Sequence, residues 1–369
     1  MKNEMSGEKS LEKYLNNGVE NIIKQAIRAS VSNPKESIFM AKYALASKKA
    51  SKLRKEAEQK GEHIPPFLIA SITSSCNLQC LGCYARAKQA NSGSCEIQQL
   101  SDEKWQDIFN EAKEMGVGFI LLAGGEPMLR MEVLEKAGAI PEVLFPVFTN
   151  GTLMNEENLS VFEKNRNLIP ILSIEGEKDQ TNHRRGEGVY EQLIATMAKL
   201  HEKKILYGVS VTVTTENIYN VTSDRFLSNL QSQGCKIVFY VEYAPVTVET
   251  RNLATTEIER FYLIHRLKEL RRNNEDMLFI SFPGDEKLSG GCLAAGRGFF
   301  HINAQGGAEP CPFSPYSDTN LKDITLRQAL QSPLFKKLQQ SNLLTQPHPG
   351  GCVLFEQEDK VKMALLQYM

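Results

Sequence analysis

The stretch Cys76-Asn77-Leu78-Gln79-Cys80-Leu81-Gly82-Cys83-Tyr84 decides how the rest of this 369-residue chain is read. Three thiols fall within eight residues. They follow Phe67-Leu68-Ile69-Ala70-Ser71-Ile72-Thr73, an apolar run with β-branched residues between Pro65-Pro66 and Ser74-Ser75. Such a run reads as a buried strand, so the cysteines occupy the loop at its carboxyl end. Three thiolates are an incomplete set: a structural zinc site takes four protein ligands, and an iron–sulfur cubane takes four cysteines. One corner is left for an exchangeable ligand. The plainer alternative is a zinc loop whose fourth ligand lies elsewhere.

Working outward, Ser101 is placed to cap a helix carrying Asp102 and Glu103 in its first turn and Trp105, Ile108, Phe109 and Ala112 on one face. Val117–Ala123 reads as a buried strand ending in Gly124-Gly125-Glu126-Pro127. Glycines let a backbone approach closely and proline fixes the turn. Further strands are expected at Val143–Thr149, Ile169–Ile174, Tyr207–Val213 and Ile237–Tyr243, with helices near 128–138, 155–165, 189–203 and 217–232. Ala85 to Leu100, with Cys95 inside it, reads as polar and irregular. Six strands alternating with helices imply right-handed βαβ units and a parallel sheet, and ligands bind at the carboxyl ends of such strands.

Residues 1–62 read as a helical arm. Val19, Ile22, Ile23, Ala26 and Ile27 share one face. Ser32-Asn33-Pro34 breaks the pattern, and a second helix starts at Pro34 and ends in Lys48, Lys49, Lys52, Arg54 and Lys55. That arm docks on the main domain with a solvated basic end, or presents a surface to an anionic partner or membrane interface. Near the other end, Thr256 and Glu259 form a capping box for a helix over 255–274, with Ile258, Phe261, Ile264 and Leu267 as its apolar face and His265 structural. Beyond it, Cys292 and Cys311 bracket a hairpin turning at Ala304-Gln305-Gly306-Gly307, and Cys352 follows. Cys95 and Cys235 read as structural thiols.

Composition narrows the class. With 24% charged residues and net charge −1, no nucleic-acid-binding signature is present. No signal peptide or transmembrane segment is read, so a cytoplasmic protein is expected. Eight cysteines in such a chain point to metal binding or catalysis, not disulfides.

Cys-x3-Cys-x2-Cys after a first strand, with Gly124-Gly125-Glu126-Pro127 after the second, resembles the radical S-adenosylmethionine (radical SAM) superfamily. The resemblance implies an α/β fold, a partial (β/α)6 TIM-like barrel. It implies a [4Fe-4S] cluster on Cys76, Cys80 and Cys83. S-adenosylmethionine would chelate its fourth iron and be cleaved to a 5′-deoxyadenosyl radical. Where the family often has an aromatic residue before the third cysteine, this chain has Gly82, and Tyr84 follows instead. The resemblance further implies cofactor contacts from Tyr84, Gly124, Gly125, Glu126, Pro127, Asn150, Ser173, Glu175 and Arg185 or Arg184. Glu126 would meet the amino group, Ser173 and Glu175 the ribose, and an arginine the carboxylate. Glu242 and Tyr243 are substrate-side catalytic candidates. The hairpin and Pro310-Cys311-Pro312-Phe313 resemble SPASM/Twitch extensions, which implies a small α+β cap holding an auxiliary iron–sulfur cluster on Cys292, Cys311 and Cys352. Its fourth site is open to substrate, another residue, Cys95 or Cys235. Domains are expected at 1–62, 63–276 and 277–369.

The substrate stays open between a peptide or protein and a small cofactor or lipid precursor. An electron donor such as flavodoxin or ferredoxin is implied. The reading from another class is a non-catalytic iron–sulfur or zinc protein for electron transfer or scaffolding.

Overall fold

The computed structural model describes residues 34–91, 98–245, 248–282, 290–345 and 352–366. The apolar face at Val19–Ile27 and Cys95 lie outside these residues. Helix α1 (Pro34–Gln59) comes first. Then β1 (Phe67–Thr73), α2 (Tyr84–Asn91), α3 (Asp102–Met115), β2 (Phe119–Gly124), α4 (Met131–Gly138), β3 (Phe145–Thr149) and α5 (Glu156–Lys164) follow. The alternation continues with β4 (Leu168–Ser173), α6 (Lys178–Arg185), α7 (Val189–Glu202), β5 (Gly208–Val213), α8 (Ile218–Val221), α9 (Asp224–Ser232), β6 (Ile237–Glu242), α10 (Glu257–Asn273) and β7 (Leu278–Phe282). A hairpin of β8 (His301–Ile302) and β9 (Ala308–Glu309) and short C-terminal helices complete the chain.

The sheet order is β7-β6-β5-β4-β3-β2-β1-β8-β9. Strands β1 to β7 pair in parallel, as βαβ units require. The partial barrel therefore has seven parallel strands, not six. Seen from the sequence, β7 was hidden by the expected boundary at 276. The sheet runs across that boundary twice, because β8 also pairs in parallel with β1.

Ring contacts show that the sheet curls. Phe148 on β3 meets Phe239 on β6 edge-on at 5.2 Å. Three strand spacings in a flat sheet would separate them by roughly 14 Å. Phe282 at the end of β7 meets Phe299 at 5.5 Å, and Phe299 stacks on Phe67 of β1 at 5.1 Å. The first and last parallel strands are thus joined by aromatic rings instead of a ladder.

Helix α1 closes the floor. Its Met40 and Tyr43 pack with Leu144, Ile169, Ile171, Ile237 and Leu278 inside the barrel, and the Tyr43 hydroxyl donates to the Gly118 carbonyl at 2.7 Å. Buried Glu36 pairs with Arg166 at 2.6 Å. Lys48, Lys49, Lys52 and Lys55 are exposed, while Arg54 turns inward to the Gly116 carbonyl. This part of the arm is a docked helix with a solvated basic face.

Local signals held at α3, where Ser101 Oγ accepts from the Lys104 N–H and Trp105, Ile108, Phe109 and Ala112 are buried. Two expectations need correction. Residues 84–91 form helix α2; its sequence lacks an apolar stripe, so periodicity gave no sign of it. On α10 the capping box forms, but Ile258 and Phe261 are exposed at 78% and 66%. The buried face is Leu263, Leu267 and Leu270. Arg260 turns inward to buried Glu242 instead, and that pairing sets the helix rotation.

Candidate active site

The cysteine loop sits over the carboxyl end of β1 and is tied there on three sides. From β2, the Gly125 N–H donates to the Thr73 carbonyl and the Glu126 N–H to the Ser75 carbonyl, both at 2.8 Å. A Cβ on Gly124 or Gly125 would lie 2.2 or 2.0 Å from the oxygen of Thr73 or Ser75. The close approach these glycines permit is therefore to the cysteine loop's own base. From α6, the Leu81 N–H donates to the Arg184 carbonyl at 2.8 Å, and Arg184 Nε returns a bond to the Leu81 carbonyl at 3.1 Å. From β6, Tyr243 reaches under the loop. Gly82 has φ +65°, and a Cβ there would lie 2.6 Å from the Tyr243 hydroxyl. Tyr243, expected on the substrate side, lines the cavity below the loop and also sits against the space that Gly82 leaves.

The three thiols gather together. Cys76, though exposed on its outer side, is held above the usual thiol range by partial desolvation, with the charges of Glu126, Cys80 and Cys83 adding to the rise. Burial also raises Cys80, against the nearby guanidinium of Arg185. Cys311 is raised by burial, by a hydrogen bond with Cys352 and by the charges of Cys352 and Cys292, so the C-terminal trio gathers too. Among the described residues no group of three His, Cys, Asp or Glu side chains closes around a single metal ion. The wider footprint of a multi-iron cluster is compatible with both observations. Cys235 is different: it is fully buried, donates to the Ile237 carbonyl, and burial pushes its thiol up to about 12.

Tyr84 connects the two trios. It follows Cys83 directly, meets Phe313 edge-on at 5.3 Å, and is pushed above the usual phenol range by burial and by the charges of Cys83, Cys311 and Glu309.

Beneath the loop lies a chamber of about 740 Å³. Its β2–β5 wall is polar, with Glu126, Asn150, Ser173, Ser210, Thr212 and Arg185. Glu126 is 1% exposed. It accepts from Thr149 Oγ1 at 2.7 Å, the Asn150 N–H at 2.8 Å and the Met128 N–H at 3.0 Å, while burial holds its carboxyl above the usual range. Pro127 begins the following turn. Ser173 Oγ lies 3.3 Å from Ser210 Oγ. Glu175, 2% exposed, accepts from Arg185, from the Thr212 N–H at 3.2 Å and pairs with Arg184 at 2.9 Å. Glu242 accepts from Thr255 at 3.1 Å and pairs with Arg260 at 3.3 Å. In the structure Glu126 and Glu175, expected at the cofactor, and Glu242, expected on the substrate side, hold neighbouring loops and arginines.

Three buried side chains on the chamber have a donor without a hydrogen-bond partner among the described residues: Arg185 at Nε, and Tyr243 and Ser281 at their hydroxyls. Orphaned buried donors are costly and mark a place for a ligand. Arg185 Nε is the donor a bound carboxylate would take.

Residues 70–223 match the family model of the radical SAM superfamily. Those residues form a radical SAM domain. The radical SAM family uses a [4Fe-4S] cluster and S-adenosylmethionine, and the three gathered thiols and the orphaned Arg185 donor fit that pair. The chain is 24% identical over 302 residues to an AdoMet-dependent heme synthase of Methanosarcina barkeri (strain Fusaro / DSM 804), covering 74% of this chain and 84% of that protein. It is 28% identical over 279 residues to the sporulation killing factor maturation protein SkfB of Bacillus subtilis (strain 168), covering 74% and 64%. Its fold is like that of Streptococcus suis SuiB, with TM-score 0.64, 14% identity, and coverage of 87% of this chain and 76% of that one. Among the described residues no helix is long and apolar enough to cross a membrane.

Proposed function

We propose that this radical SAM chain cleaves S-adenosylmethionine reductively at Cys76, Cys80 and Cys83 and turns the resulting radical on an organic substrate in the chamber. A SPASM/Twitch-like C-terminal region holds a second iron–sulfur cluster on Cys292, Cys311 and Cys352. The observation that carries the proposal is three thiols of one loop lining a single chamber whose cosubstrate-side donors, Arg185 Nε and Tyr243 Oη, are unpartnered.

The cluster would supply one-electron reduction of the sulfonium when bound. The chain's own residues position and enclose. Gly124 and Gly125 fix the loop on β1. Glu175 orients Arg184 and Arg185, leaving one guanidinium N–H for the methionyl carboxylate. Asn150 and Ser173 line the same wall, and Tyr243 supplies a hydroxyl below the loop. Thiols that burial holds neutral lose their protons when iron binds. Cys76 is exposed, so a donor such as flavodoxin or ferredoxin can approach from outside. The buried C-terminal trio suits electron storage or passage.

The test is anaerobic incubation of reconstituted protein with dithionite and S-adenosylmethionine. The wild type makes 5′-deoxyadenosine, and Cys76→Ala/Cys80→Ala/Cys83→Ala makes none. Equal product from both overturns the proposal and leaves a non-catalytic cluster protein.

A further inference from the structure

The chamber has two unlike walls. The β2–β5 wall described above carries most of its hydrogen-bonding side chains, with Glu242, Tyr243, Arg271 and Ser281 contributed from the β6 and β7 side. The facing wall, where β1 and β7 meet the C-terminal region, is built from Phe67, Phe282, Leu293, Pro312 and Phe313, with Tyr84 at its upper edge. Between them the floor is Phe119, Phe148, Phe239 and Ile280, resting on the packed layer closed by α1. These floor and wall side chains, Pro312 apart, are half-buried, so part of each is open to the chamber.

The wall is rigid. Phe67 stacks on Phe119 at 4.8 Å with the ring planes 4° apart, and on Phe299 at 5.1 Å. Phe282 is braced edge-on against Phe299, and Phe313 against Tyr84. A barrel interior is ordinarily filled by such side chains; here they form a lined space. Its volume lies in the upper part of the roughly 300–1,000 Å³ typical of small-molecule sites, which leaves room beside a nucleotide.

From this asymmetry we infer that the substrate is a small organic molecule with a broad, flat apolar face, bound against Phe67, Phe282, Leu293 and Phe313 while S-adenosylmethionine occupies the opposite wall. The inference rests on the radical SAM reading and specifies its substrate class. A peptide main chain laid on this wall would leave its N–H and C=O groups facing phenyl rings, and an unpaired buried amide is unfavourable. A flat apolar molecule makes offset-stacked and edge contacts with the same rings.

The test is equilibrium dialysis of the anaerobic, cluster-loaded protein with 1-pyrenebutyrate, with and without saturating S-adenosylmethionine. One saturable site per chain is expected, with affinity retained when S-adenosylmethionine is present. Phe282→Ser and Leu293→Glu, checked for folding by thermal melting, each weaken the probe at least tenfold. Leu293→Glu keeps the test open should Phe282→Ser fail to fold. Absence of saturable binding, displacement of the probe by S-adenosylmethionine, displacement by a free hexapeptide, or indifference to both substitutions overturns the inference. Assaying 5′-deoxyadenosine on the same preparation separates the two claims. Product without probe binding removes the substrate class alone; no product removes the radical reading beneath it.

Discussion

The two cysteine trios make an instructive pair. Cys76, Cys80 and Cys83 come from one loop, with Cys76 exposed and the other two half-buried. Cys292, Cys311 and Cys352 are spread over sixty residues of sequence, and Cys292 and Cys311 are 6% and 3% exposed. The first trio faces a chamber with orphaned donors. The second is packed against the core, with Cys311 and Cys352 as free thiols joined by a hydrogen bond. An accessible site can exchange a ligand at its open corner; a buried one can pass electrons but admits little else. The same ligand chemistry thus serves two roles through burial alone.

The largest effect should come from breaking the exposed trio. Cys80→Ala reduces 5′-deoxyadenosine formation to background. Cys311→Ala instead removes about four irons per chain, one cubane, while S-adenosylmethionine cleavage remains detectable. Iron analysis beside product analysis checks both; equal loss of cleavage in the two variants would erase the distinction.

Next comes the anchor beneath the exposed trio. Glu175→Gln leaves two half-enclosed guanidinium groups without their carboxylate, and breaking a buried pair in this way costs about 3–5 kcal/mol. Urea unfolding should show that loss together with weaker S-adenosylmethionine binding. Unchanged stability would mean that the arginines are held by something else.

The Gly82–Tyr243 contact is a smaller lever. Gly82→Ala places a side chain at positive φ, which costs about 1–2 kcal/mol, and drives its Cβ against the Tyr243 hydroxyl. Tyr243→Phe in the same chain removes the nearest atom and should restore part of the lost iron loading. A double variant no better than Gly82→Ala alone would show that only backbone strain matters there.

How much of this was legible in sequence follows from range. The first trio was readable because its spacing is local, as were the strand ends, since β1 matches its apolar run residue for residue. Helix α2 was missed because a polar helix has no stripe. The outward turn of Ile258 and Phe261 was missed because the rotation of α10 is set by Arg260 meeting Glu242, a contact no periodicity encodes. The carboxylates Glu126, Glu175 and Glu242 were correctly seen at strand ends. Their work of holding loops and arginines depends on partners 13 to 37 residues away. Nothing in the spacing of Gly82 pointed to Tyr243.

The smallest expected effect is in pH. Burial holds Cys80 and Cys311 above the ordinary thiol value, and iron binds the deprotonated form. Loading therefore improves as pH rises from 7 toward 9 and falls as protons compete below that. The more deeply buried C-terminal trio should load at higher pH than the exposed one, measured separately in Cys311→Ala and Cys80→Ala proteins. A flat profile for both would contradict the burial argument.

The central claim is that the cluster on Cys76, Cys80 and Cys83 keeps one iron open for S-adenosylmethionine. Electron paramagnetic resonance of the dithionite-reduced Cys292→Ala/Cys311→Ala/Cys352→Ala protein tests it most directly. The account predicts a reduced-cluster signal whose g-values shift when S-adenosylmethionine is added. A signal that is present and unmoved by S-adenosylmethionine would contradict it.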